Sequence, residues 1–239
     1  MIRLAVALLL ATVIGAAADQ PDIAKAWLEQ PTARYGHDVL GGNEYAALSA
    51  LSFENGMSAP LTIELPPDRV FEDIEARLAD LNGDGGNEIV VVEASKGGGA
   101  ELTVWDIRGG ALVRIAATPP IGRAFRWLSP AGIADFDGDG RLDIAYVQTP
   151  HLAGVLRVWT LRGDRLVEIV EPVAGFSNHR IGQDFITGRV QTCDGRVEMV
   201  MPDLSWRTTR RVWLDRGEIV WETLGVDPTR ISGAPECSG

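Results

Sequence analysis

Apolar residues come in short runs along most of this chain. In the middle these runs are Glu88–Glu93, Leu102–Ile107, Leu112–Ala116 and Ala124–Leu128 continuing to Ile133, each separated by Gly, Pro or Asp-rich turns. Runs of this length between turn formers predict strands, because an amphipathic helix needs a longer stretch with apolar residues three or four apart. The runs are periodic. Val104-Trp105, Val158-Trp159 and Val212-Trp213 recur at an offset of 54, and D-L-N-G-D-G-G-N-E-I at 80–89 returns as D-F-D-G-D-G-R-L-D-I at 135–144, an offset of 55. After a further 55 residues, Asp194-Gly195-Arg196-Val197-Glu198-Met199 reproduces the second half of that pattern. Two independent landmarks with one period define an internal repeat. A shorter first unit carries Phe53 in place of the Trp, and its Pro66-Pro67 answers Pro119-Pro120, which makes four units.

Four short antiparallel strands in a unit of about 50 residues is the blade of a β-propeller, where sheets bury their faces against neighbours in a ring. The expected fold is therefore all-β: a propeller of about four blades, each a four-stranded antiparallel sheet. The recurring Trp residues should pack between neighbouring sheets as apolar wedges. The fourth unit stops near Leu224, short of its last strand, so the segment Arg34–Leu51 is expected to supply that strand and close the ring.

Composition fits this picture. The chain of 239 residues is 46% hydrophobic, enough for a core, and its 27 Gly and 13 Pro supply turns. The first residues place Arg3 before an apolar run that ends on Ala16, Ala17 and Ala18, the layout of a secretory signal peptide. Residues 1–18 are thus expected to be a signal peptide and 19–239 a single exported domain, periplasmic or secreted. No later stretch has the roughly 18 apolar residues of a membrane helix. A net charge of −11 disfavours nucleic acid as a partner. The two cysteines, Cys193 and Cys237, are expected to form a disulfide in an exported chain, with two thiols as the alternative.

The Asp-rich loops carry the clearest chemistry. The spacing D-x-[DN]-x-D-G-x-x-[DE] offers side-chain oxygens at positions 1, 3, 5 and 9, with a turn glycine at 6 and a backbone carbonyl at 7. Alternate residues of a tight loop then aim oxygens at one point, which suits calcium; magnesium demands stricter octahedral geometry. The expected ligands are Asp80, Asn82, Asp84, the Gly86 carbonyl and Glu88 in one loop, and Asp135, Asp137, Asp139, the Arg141 carbonyl and Asp143 in the other. Strand-like runs follow both loops at once, so neither is an EF-hand. In the third unit Val190 and Thr192 occupy the first two ligand positions, leaving Asp194 and Glu198, and no tightly bound ion is expected there.

These loops, each with an apolar lead-in (Ala76–Ala79 and Gly132–Ala134) and each ahead of a Val-Trp strand, resemble the FG-GAP/VCBS repeat propellers, a family that includes the calcium-binding blades of integrin α subunits and many bacterial exported proteins. The resemblance covers Asp80–Trp159. It implies two Ca²⁺ sites at bends between strands, with the ligand roles just given. The Phe-Gly and Gly-Ala-Pro signature of the integrin repeat is not clean in this chain.

Familiar catalytic signatures are missing: there is no H-E-x-x-H, G-x-S-x-G, Walker or dinucleotide fingerprint. His37, Glu72, Arg126, His179 and Asp184 fall in segments expected to line the channel, where they would bind a small polar or sugar-like ligand. The function expected is a non-enzymatic, calcium-stabilised binding or scaffold module for a protein or carbohydrate. The alternatives are a carbohydrate hydrolase or lyase using Glu72, Asp73 or Asp184 as acid or base, and a lectin.

Overall fold

The computed structural model describes residues 22–42, 44–52 and 60–233. The expected signal peptide at 1–18, Phe53 and Cys237 lie outside the described residues. Among them the chain is built of strands, with one 3₁₀ turn at Pro228–Gly233 and no α-helix. The strands are β1 Ile23–Thr32, β2 Glu44–Ser52, β3 Leu61–Glu64, β4 Arg69–Phe71, β5 Arg77–Ala79, β6 Glu88–Ser95, β7 Gly99–Arg108, β8 Ala111–Ala117 and β9 Leu128–Ala134. They continue as β10 Asp143–Gln148, β11 Val155–Leu161, β12 Leu166–Glu168, β13 Val173–Ala174, β14 Arg189–Cys193, β15 Arg196–Pro202, β16 Thr209–Asp215 and β17 Glu218–Leu224.

All pairing is antiparallel and follows the repeat. β5-β6-β7-β8, β9-β10-β11-β12 and β14-β15-β16-β17 are each meanders, and β1-β2-β3 is a shorter one. The strand grouping differs from the expected one. β9 belongs with β10, not with β6 to β8, because the Asp-rich loop joins β9 to β10 closely enough for them to pair, whereas 118–127 crosses to the next sheet. Each repeat therefore starts with the strand before its loop.

Ring closure also differs. The fourth unit has all four strands, with β17 at its edge, and it is the first unit that lacks one. β2, within the segment expected to complete the fourth sheet, instead pairs with β1, β3 and β4. Short β4 reaches on to β6 and fuses the first two units into one eight-stranded sheet.

The sheets stack face to face through three apolar layers. Side chains alternate between the two faces of a strand, so Ile89 and Val91 of β6 pack toward Leu48, Ala50 and Phe71, while Val90 and Val92 pack toward Ile144 and Tyr146. Ala145 and Val147 of β10 meet Met199, Met201 and Val212 in the third layer. No apolar cluster of described residues joins β14–β17 to β1–β3. These units meet through loops: Gly182 N–H donates to Val39 O at 3.0 Å, and a side chain on Gly41 would come within 2.5 Å of the Gly182 carbonyl oxygen.

Two of the three repeat tryptophans are wedges. Trp105 meets Phe71 edge-on at 6.0 Å, and Trp159 stacks on Tyr146 at 6.5 Å. Trp213 is not, contrary to expectation, and the reason is register. Ile89 faces Trp105 and Ile144 faces Trp159 across their ladders, whereas the matching Met199 faces Val212. A one-residue offset turns side chains to the opposite face, so Val212 fills the apolar layer and Trp213 lies outside under Arg196, 4.0 Å from its ring centroid. Trp213→Ala is accordingly expected to cost about 2 kcal/mol less in chemical denaturation than Trp105→Ala.

Candidate functional site

Two polar centres lie at opposite ends of β9, separated by its seven residues, roughly 20 Å of extended chain. At one end are the Asp-rich loops. Each is wound by its own acidic side chains. Asp135 accepts from the backbone N–H of Gly138 at 2.8 Å and Gly140 at 3.0 Å, Asp137 from Asp139, and Asp139 from Arg141. The first loop repeats this: Asp80 accepts from Gly83, Asp84 and Gly85, and Asn82 Oδ1 from Asp84 at 2.8 Å. Gly138 and Gly140, like Gly83 and Gly85, have positive φ, which side chains with a Cβ resist. The position-nine carboxylates are buried and tie back to the loop start, Glu88 to Leu81 N–H at 2.8 Å and Asp143 to Phe136 N–H at 3.0 Å.

The loops differ at their centres. In the second, carboxylate oxygens of Asp135, Asp137 and Asp143 lie within 4.8 Å of one another. Burial pushes Asp143 up to about 6, and the nearby charge of Asp137 adds to the rise. Converging carboxylates, one of them buried, are what a hard cation satisfies, so these residues fit Ca²⁺. Asp139 is directed elsewhere, its second oxygen 2.8 Å from Arg162. In the first loop the Asn82 amide nitrogen donates to Asp84 at 3.0 Å and to Glu88. Asp80, Asp84 and Glu88 do not form a close acidic cluster. Asn82 would present its oxygen to an ion only after an amide rotation, an orientation that hydrogen-bond networks decide.

The third unit shows what replaces the loop. Asp194 and Gly195 form a two-residue hairpin turn, both with positive φ. The buried Glu198, counterpart of Glu88 and Asp143, takes a hydrogen bond from Gln191 at 2.6 Å and is paired with Arg211 at 3.2 Å and Arg196 at 3.3 Å. Arginine side chains here neutralise the position-nine carboxylate.

At the other end of β9, loops converge on Trp127. Its indole N–H donates to the Glu72 carbonyl at 2.8 Å. His151 stacks on the indole, with centroids 6.2 Å apart, and His179 meets it edge-on at 4.8 Å. His37 Nδ1 is 2.6 Å from Glu72 Oε1, and Phe125 N–H donates to the Tyr35 hydroxyl at 2.7 Å. A cavity of about 140 Å³ is lined by His37, Phe125, Arg126, Trp127, Thr149 and His151, with Leu152 and Ile181 also on its wall. Of the expected ligand residues, His37 and Arg126 line this cavity, and Glu72 and His179 stand directly behind it. Asp184 is exposed and lies outside the lining. Sequence reasoning missed Phe125, Thr149 and His151, whose role depends on loops distant in the chain.

A family model for the FG-GAP-like repeat matches residues 80–146, which span β6 to β9, the start of β10 and both Asp-rich loops. No curated protein matches the chain. The matched stretch begins on the first residue of one Asp-rich loop and contains the whole of the other. Residues 80–146 are therefore similar to the FG-GAP-like repeat.

Proposed function

We propose that the chain is an exported, calcium-binding β-propeller of about four blades that acts as a binding or scaffold module. The observation that carries the calcium assignment is the convergence of the Asp135, Asp137 and Asp143 carboxylates, the last of them buried. In this reading the second loop is the tighter Ca²⁺ site and the first is a weaker one that needs the Asn82 amide to turn. The bound ion supplies positive charge that holds the loop between two strands, an architectural role.

A Cys193–Cys237 disulfide belongs to the same reading. Cys193 is buried at the end of β14, and Arg189 at the start of β14 reaches the Ile231 carbonyl. Four residue steps along β14 are roughly 13 Å, and the six residues from 231 to 237 can span up to ~20 Å, so the tail has the reach.

A carbohydrate hydrolase or lyase is the second reading. The His37–Glu72 pair favours it, since burial pushes Glu72 up to about 7, where an acid or base works at neutral pH. The placement of the other carboxylates favours binding instead. Asp73 is held by Arg77 at 2.8 Å and by Val92 N–H at 3.0 Å, and Asp184 lies apart, so neither pairs with Glu72 at the cavity.

Calorimetric calcium titration of the metal-stripped chain tests the proposal. Two binding events are expected, the tighter abolished by Asp137→Ala and the weaker by Asp84→Ala, with a stabilisation of about 2.7 kcal/mol per site at a hundredfold excess over Kd. Absence of heat together with an unchanged Tm would overturn the calcium assignment.

A further inference from the structure

The chain has three histidines, and three separate loops bring all of them around Trp127. Their hydrogen bonds fix what they offer a ligand. His179 Nε2 is 2.9 Å from the Gln183 carbonyl, which can only accept, so that nitrogen carries the proton. Burial holds both His179 and His151 below the usual range, His151 at about 4 with the neighbouring imidazoles contributing, so both are neutral at pH 7. His179 Nδ1 must then accept from His151 Nε2 at 2.9 Å. With Nε2 donating, Nδ1 is the acceptor nitrogen of this cavity-lining imidazole.

His37 has Nδ1 engaged by Glu72, which leaves Nε2. When Glu72 is ionised, Nε2 accepts; when the Glu72 proton is donated to Nδ1, Nε2 carries the hydrogen and donates. A hydroxyl can meet either state. Arg126 is an exposed donor whose one hydrogen bond among the described residues is to the Phe125 carbonyl. A cation would face this guanidinium, and an anion would face the Glu72 carboxylate behind His37. Phe125 and Thr149 on the wall have φ of 57° and 49°, a region that bulky and β-branched residues enter only when the surroundings impose it, and such strain clusters at binding sites.

We propose that this cavity binds a single neutral, hydroxyl-rich ring, a sugar residue. Its hydroxyls donate to His151 Nδ1, exchange a hydrogen bond with His37 Nε2 and accept from Arg126, while its C–H face lies on Phe125. The volume suits one ring and not an oligosaccharide. The inference rests on the binding-module reading and adds the ligand class and the residues that recognise it.

The test is a titration of the calcium-loaded chain, followed by NMR of the imidazole and indole side chains, with the methyl glycosides of glucose, galactose, mannose and rhamnose, and with galacturonate. At least one neutral glycoside should give saturable shifts confined to His37, His151 and Trp127. His151→Phe and His37→Phe should each weaken binding about tenfold, as for one lost hydrogen bond, while leaving the calcium-dependent Tm rise unchanged. Binding by galacturonate alone, or affinity that survives both Phe variants, overturns the sugar assignment. Saturable shifts located elsewhere overturn the cavity but leave the binding module intact. No saturable shift with any of the five probes overturns the sugar site, and the separate calcium titration then still judges the fold-level reading.

Discussion

Arg69→Ala is expected to destabilise the chain by about 3–5 kcal/mol, the range for removing one partner of a buried ion pair, and to lower Tm by roughly 10 °C. Arg69 sits on three-residue β4, the strand that joins the first unit to the second. Its guanidinium donates to Glu93 Oε2 at 3.0 and 2.7 Å and also contacts Glu101. Glu93 is 1% exposed, its other oxygen has no partner, and burial raises its pKa against the pull of Arg69 and Arg114. Without Arg69, two carboxylates would face each other with only Arg114, whose side chain is 39% exposed and screened by water, to offset them. Adding Glu93→Gln to Arg69→Ala should recover part of the loss, because the uncompensated charge is then gone. A loss below about 1 kcal/mol for Arg69→Ala would show that the network behaves as a surface pair and that β4 is held by its backbone alone.

Glu72→Gln is expected to raise stability at pH 8 by up to about 3 kcal/mol and to flatten the decline of stability with pH. Burial pushes Glu72 from an ordinary 4.5 to about 7; His37 opposes the rise, and Glu44 and Asp73 add to it. A carboxyl whose pKa is raised by folding binds more protons folded than unfolded between those two values. Stability therefore falls as pH climbs from about 4.5 through 7, by roughly 1.4 kcal/mol for each pH step of one across that interval. Glutamine keeps the acceptor for His37 and puts a neutral amide where Glu72 Oε2 lies buried without a partner. Urea melts of both proteins between pH 5 and pH 8 read this directly. Parallel curves for the two would mean that Glu72 is not the group responsible for the slope.

Much of this was legible in the sequence, because it is local chemistry. The D-x-[DN]-x-D-G spacing winds its loop through side-chain to backbone bonds a few residues apart, so both segments are tight turns between strands, and the turn at Asp194-Gly195 takes the place of a third. The 54–55 residue period likewise set the four successive units, since each is a meander of neighbouring strands. His37, Glu72, Arg126 and His179 could be singled out because polar groups in linker segments gather at one end of such units.

Only the tertiary structure decided how the units meet. The Val-Trp dipeptides are alike in sequence, yet Trp213 faces outward, because one residue of register in the fourth sheet reverses which side chain enters the apolar layer. Likewise β2 pairs within the first sheet and not with β17, a choice between long-range partners with similar alternating patterns. The same holds for charge: Glu88, Asp143 and Glu198 occupy one repeat position, but Arg211 reaches Glu198 only across the strands of the fourth sheet, and among the described residues no arginine pairs with Asp143. Pattern and spacing determine elements and loops through short-range bonds, whereas register, sheet order and the neutralisation of buried charge depend on contacts between residues far apart in the chain.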